Sequence, residues 1–193
     1  MMTRPSDEVP GMEGHVVGGR AERKRFLMGS VSLTVPITLA FVGGLFYADV
    51  FGVTDGATPH AILVLAVQSL FVAMLPYAAV CLTILQRRLT EGAHNPLVAE
   101  ASERLAIHCR VMQNTLEQLV WFAICTLALA TVLTPSEAHL LPIAAGTFCI
   151  ARLLYWWGYL RKGTLGRRYG VQVTFTLNIG LLIATGVLLI ARA

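Results

Sequence analysis

Two stretches place polar side chains where an apolar sequence can least easily hold them. "RVMQNTLEQLVWF" (110–122) heads an apolar run that continues to Leu133, yet it carries Arg110, Asn114 and Glu117. These lie four and then three residues apart, so on a helix they share one face. "RLLYWWGY" (152–159) repeats the pattern with Arg152, Tyr155 and Tyr159 at spacings of three and four. Guanidinium, amide, carboxylate and phenol in rows suit the binding of an elongated polar anion. A carboxylate inside hydrocarbon is costly enough to be read first as functional. No phosphate loop, nucleophile triad or internal repeat competes with this reading.

The elements that must carry these rows are membrane helices. Only 13% of residues are charged, against roughly 25% in ordinary soluble domains, and mean hydropathy is +0.66. Apolar stretches recur at about twenty residues, the length that crosses a hydrocarbon core of about 30 Å. The expected class is an all-α integral membrane protein. Residues 1–25 read as a polar, disordered tail ending in the basic run "RAERKR", and 26–50 as a retained first transmembrane helix with Pro36 as a candidate kink. Thr58-Pro59 opens a second helix to about Leu89, and Asn95-Pro96 a third to about Leu133. "TPSE" (134–137) pairs Thr134 with Glu137 as a capping box before a fourth helix to about Arg161. After the turn "KGTLG", a fifth runs from about Leu165 to Ile190.

Under five spans the cations collect on one side: Arg4, Arg20, Arg23, Lys24 and Arg25; Arg87, Arg88 and Arg104; Arg161, Lys162, Arg167 and Arg168. The other side holds Arg192 with Asp49, Asp55 and Glu137. The positive-inside rule then puts the N-terminus in the cytoplasm and the C-terminus outside, the expected compartment being a bacterial inner membrane. The net charge of +4 is absorbed by this asymmetry and implies no nucleic-acid partner. Cys81, Cys109, Cys125 and Cys149 lie in or beside apolar helices without metal spacing, and read as small apolar residues.

If the third and fourth helices form a hairpin about Thr134-Pro135, equal sums of residue numbers mark equal depth. Glu117 then lies level with Arg152, Asn114 with Tyr155, and Arg110 with Tyr159. A Glu117–Arg152 ion pair follows, in one subunit or across two, at the closed end of a cleft opening to the cytoplasm. A purely structural pair that fixes helix register is the competing account.

Together these motifs resemble the MAPEG family, the membrane-associated proteins in eicosanoid and glutathione metabolism. "RVMQNTLEQLVWF" is similar to that family's arginine followed by N-x-x-E on its second helix. "RLLYWWGYLRKGTLGRR" resembles its third helix and basic turn, and "QRRLTEGAHNP" its first basic loop. The likeness spans about residues 59–193 and leaves 26–50 as an addition to the four-helix pattern. It implies a homotrimer that binds glutathione as co-substrate between subunits near the cytoplasmic face, with lipophilic small molecules drawn from the surrounding lipids. By position, Arg87, Asn114, Glu117, Tyr159 and Arg168 match glutathione-holding residues, and Arg110 and Arg152 the family's structural or site arginines. Tyr155 takes the place of a histidine seen in some members. Arg168 falls beside the sulfur, where a guanidinium favours thiolate, and is the catalytic candidate.

The sequence departs from that pattern at Gln113, where an arginine is common, at Tyr169, which replaces a serine, and at Gln172, which replaces a tyrosine. Two function classes follow: a glutathione-dependent transferase or peroxidase, and a non-catalytic lipid-binding or scaffold protein. A proton-coupled transporter finds no inverted repeat to support it. His94 and His108 have no evident metal partner; "GRRYG" (166–170) reads as turn geometry rather than helix packing; Trp121, Trp156 and Trp157 read as packing or lipid-facing residues.

Overall fold

A computed structural model describes residues 20–50, 57–91 and 102–192. It consists of five helices: α1 (Arg20–Tyr47), α2 (Pro59–Thr90), α3 (Glu103–Ala130), α4 (Leu140–Gly166) and α5 (Arg168–Ala191). α1 begins inside the run read as tail, because arginine, alanine, glutamate and lysine are good helix formers that extend the apolar helix backward. The rest of the expected tail, residues 1–19, lies outside the described residues.

The local signals act as the sequence suggests, with shifted boundaries. Thr58 accepts from Ala61 N–H at 3.2 Å and opens α2 with Pro59 in its first turn. The expected start of α3 at Asn95-Pro96 lies outside the described residues. Within them, α3 opens at Glu103, where Ser102 Oγ accepts from Leu105 N–H at 3.2 Å. The carboxylate of Glu137 accepts from Thr134 N–H at 2.8 Å and from its hydroxyl at 2.7 Å. That closure forms a short 3-10 turn, Pro135–Glu137, rather than the first turn of α4, which starts at Leu140.

The bundle pairs α2 with α3 and α4, and α5 with α3 and α4. α3 and α5 run parallel, and their polar contacts keep a constant offset. Asn178 Nδ2 donates to the Gln118 carbonyl and side chain at 3.1 and 3.0 Å, and Thr185 donates to the Cys125 carbonyl at 3.3 Å. Arg192 donates to the Val132 carbonyl in the same register. Seven-residue steps return each helix to nearly the same face, so one seam of polar contacts runs along the pair. Phe122 and Phe148, both buried, stack at 4.6 Å in the core between α3 and α4.

Among the described residues, four segments are long and apolar enough to cross a membrane: 28–47, α2, 135–166 and α5. α3 has 28 residues and lies in the same bundle, but its polar row keeps it out of that set. This helix therefore needs protein on more than one side.

α4 and α5 meet through a break. Lys162 and Gly163 leave helical geometry, and Gly163 adopts φ +55°, a conformation that favours glycine. A Cβ on Gly170 would come within 2.5 Å of Tyr155 N and 2.6 Å of the Ala151 carbonyl, and one on Gly166 within 2.1 Å of the Gly158 carbonyl. The spacing in "GRRYG" is thus a packing motif that brings two backbones together, correcting the turn-only reading. α1 stands against α5 and α4, burying Thr34 and Thr38. At its far end Phe46 stacks on His139 at 4.3 Å, and His139 Nε2 lies 3.1 Å from the Phe46 carbonyl.

Candidate functional site

The basic ends of α2, α3, α4 and α5 come together at one end of the bundle, as the alternation of the helices requires. About halfway along α4, roughly 15 Å from the break at Lys162 at 1.5 Å per residue, Arg152 is 1% exposed. Its Nε donates to Thr115 Oγ1 at 3.2 Å, and Nη2 donates to Thr115 Oγ1 and to Asn114 Oδ1, both at 2.9 Å. The guanidinium lies over the Tyr155 ring, 4.1 Å from its centroid. Nη1 is buried without a hydrogen-bond partner, and no carboxylate of the described residues pairs with this arginine. A buried cation is thus held by a hydroxyl, an amide and a ring face.

The expected Glu117–Arg152 pair does not form within the chain. Glu117 is exposed and accepts from Gln113 Nε2 at 3.0 Å. The reason is angular. Two residues along a helix are about 200° around its axis, so Thr115 and Glu117 cannot both face α4. Similar depth along two helices does not by itself bring side chains together.

Toward the basic end, Tyr155 and Tyr159 are both buried and meet edge to face at 6.0 Å. Arg167 joins them, donating to the Tyr155 hydroxyl at 3.4 Å with its guanidinium 4.9 Å from the Tyr159 ring centroid. The exposed Arg110 neighbours the Tyr159 hydroxyl. Asn114, Arg152, Tyr155, Tyr159 and Arg110 therefore form one continuous polar chain across α3 and α4. Thr115 and Arg167 belong to it although neither falls in the rows spaced by three and four residues.

Two expected members stand apart. Arg168 Nη2 donates to Tyr169 Oη at 2.6 Å and its guanidinium covers the Tyr169 ring at 4.5 Å. Arg87 pairs with Glu91 at 3.3 Å on the last turn of its own helix. The Nδ1 of His108 accepts from Trp156 Nε1 at 3.0 Å, and the rings meet edge to face.

Arg110, Gln113 and Glu117 are the decisive placement. All are exposed on the outer side of α3, so the polar row runs from the subunit's interior onto its surface. A sequence model of the MAPEG family matches residues 61–187. The chain belongs to the MAPEG family. The match begins within α2, so α1 lies outside it. Among curated proteins and among solved structures, no match to the chain was found. MAPEG membership supports, at the level of the family, a membrane glutathione-related transferase or peroxidase or a related function. Members of the MAPEG family generally use glutathione and are generally trimeric.

Proposed function

We propose that this MAPEG protein is a homotrimeric, membrane-bound glutathione transferase or peroxidase acting on lipophilic electrophiles. The observation that carries the reading is the exposed row Arg110–Gln113–Glu117 on α3. Within a bilayer such a row must face protein or a water-filled cleft, and a second subunit laid against it encloses a polar site at the basic end. By the positive-inside rule that end is cytoplasmic.

The residues fit glutathione by charge and by donor set. Arg110 and Arg87 offer guanidinium forks to its carboxylates, Glu117 offers a carboxylate to its amino group, and Asn114 and Tyr159 bind its peptide groups. Arg152 and Tyr155 hold the wall behind them. Arg168 is the group that favours thiolate. Since it donates to the Tyr169 oxygen, the phenol keeps its own hydrogen to donate toward sulfur, which gives Tyr169 a supporting role in stabilising the thiolate. Glutathione titration of the purified protein, followed by thiolate absorbance, tests the reading. Saturable thiolate formation that is lost in Arg168→Ala supports an enzyme; binding without thiolate supports the non-catalytic lipid-binding or scaffold alternative. That second reading is favoured by one feature, Gln113, which bonds Glu117 at a position where glutathione-using members often carry an arginine.

A further inference from the structure

The additional helix α1 is loosely seated on the bundle. Grooves of about 530 and 180 Å³ flank it, the larger against α5 and the smaller mostly against α4. Polar contacts at its two ends therefore matter for how it docks. At the basic end Gln172 Nε2 donates to Ser30 Oγ at 2.8 Å. At the opposite end the contact is made by His139, which is buried and stacked on Phe46. Both nitrogens of this imidazole face acceptors. Nε2 lies 3.1 Å from the Phe46 carbonyl, in the last turn of α1. A carbonyl can only accept, so Nε2 carries a hydrogen. Nδ1 is buried without a hydrogen-bond partner, and Asp49 Oδ1 stands 4.0 Å away. Just past the end of α1, Asp49 adopts φ +44°, a left-handed conformation that aspartate tolerates better than most residues. A neutral ring turns a lone pair toward that carboxylate. An imidazolium turns a second N–H toward it.

We propose that His139 is a proton-operated clasp: its imidazolium holds the end of α1 on the bundle through the Phe46 carbonyl and Asp49, and loss of the proton releases it. The neighbouring charges agree with that sense. The positive end of α4 opposes a cation at His139, and the negative end of α1 favours one; the full charge of Asp49 then decides. Glu137, in the turn before α4, is engaged by Arg192 of α5 and by Thr134. His60, at the start of α2, is exposed. Because the seated state prefers the protonated ring, seating is strongest in acid. It weakens as pH rises through the range in which histidines titrate, about 5 to 8. This end lies opposite the basic one, on the side that the positive-inside rule places outside. The proposal concerns α1 and does not depend on the glutathione reading.

The test uses the full chain in phosphatidylcholine bilayers, with the four native cysteines replaced and nitroxides on Ala48→Cys and Ser136→Cys, both exposed positions. Pulsed electron resonance between the two labels gives the distribution of distances from the end of α1 to the bundle. From pH 5 to pH 8 the ratio of seated to released α1 should fall about tenfold or more, the ratio expected for one charge-assisted hydrogen bond. His139→Gln can still donate to the Phe46 carbonyl but does not titrate, and should give one distribution at both pH values. Asp49→Asn, a change at an exposed residue, should shrink the response to about threefold or less, since a neutral acceptor makes the weaker bond. His60→Gln should keep the full response. A parent distribution that stays unchanged from pH 5 to pH 8, or that shifts toward the seated distance as pH rises, overturns the clasp. So does a response that survives His139→Gln or is lost in His60→Gln. An undiminished response in Asp49→Asn overturns the part assigned to the carboxylate.

Discussion

Thr115 of α3 and Arg152 of α4 are joined by two hydrogen bonds, at 3.2 and 2.9 Å, in a place where each residue is 1% exposed. The threonine hydroxyl takes the position that a carboxylate was expected to hold. Removing it leaves two guanidinium donors short of an acceptor. Thr115→Val, which keeps the shape, should destabilise the subunit by about 1–3 kcal/mol. Glu117→Ala, at an exposed position, should change subunit unfolding by less than about 0.5 kcal/mol. Denaturant unfolding in detergent micelles measures both; equal losses would return the charge pair to consideration.

The close contact at Gly170 makes a second test. A methyl group there would meet Tyr155 N and the Ala151 carbonyl, both backbone atoms that cannot yield without moving α4. Gly170→Ala should cost about 1–3 kcal/mol or more through overpacking and displace Tyr155 from under Arg152. Gly180→Ala, facing open space, should be neutral or mildly stabilising because alanine is the better helix former. The comparison of melting temperatures reads the difference directly.

At the opposite end, Arg192 holds Glu137 through two hydrogen bonds at 2.9 and 2.8 Å. Glu137 also accepts from the Thr134 N–H and hydroxyl, so Arg192→Ala leaves its carboxylate with the Thr134 bonds alone. Both partners are partly exposed, so the loss of stability in Arg192→Ala should be small, below about 1 kcal/mol, and should fall further in high salt. Thermal melts at low and high salt check it.

Orientation has its own test. Ser136 and Leu165 are exposed at opposite ends of the bundle. In a background lacking the four native cysteines, Ser136→Cys should react with an impermeant maleimide added to intact cells, and Leu165→Cys only after lysis. The reverse pattern would invert the basic end and place the proposed site outside.

Much of this arrangement is written locally. Thr58-Pro59, "TPSE" and the glycine at 163 mark helix ends through backbone chemistry that needs no tertiary context. The polar rows at 110, 114 and 117 and at 152, 155 and 159 are legible from periodicity. What the sequence does not disclose is rotation. Asn114, Thr115 and Glu117 occupy three directions around α3, and only packing decides which of them meets α4. The same holds for Arg167 and Arg168. Helical phase is lost across Lys162 and Gly163, so periodicity carried forward from Tyr159 cannot say which arginine turns back to the tyrosines; the fold selects Arg167. The groove beside α1 is less legible still, since it depends on how far an apolar helix stands from its neighbour.

The central claim is that the outward row of α3 completes a glutathione site between subunits. Calorimetric titration of glutathione into the assembled oligomer, for the parent and for Glu117→Gln, tests it most directly. The exchange keeps size and removes the charge that would meet the ligand's ammonium, a charge-assisted bond worth about 1.5–3 kcal/mol. The account expects saturable binding by the parent, and a Kd raised about tenfold or more in Glu117→Gln with the oligomer intact. No binding by the intact parent oligomer, or the same Kd in both proteins, would contradict it.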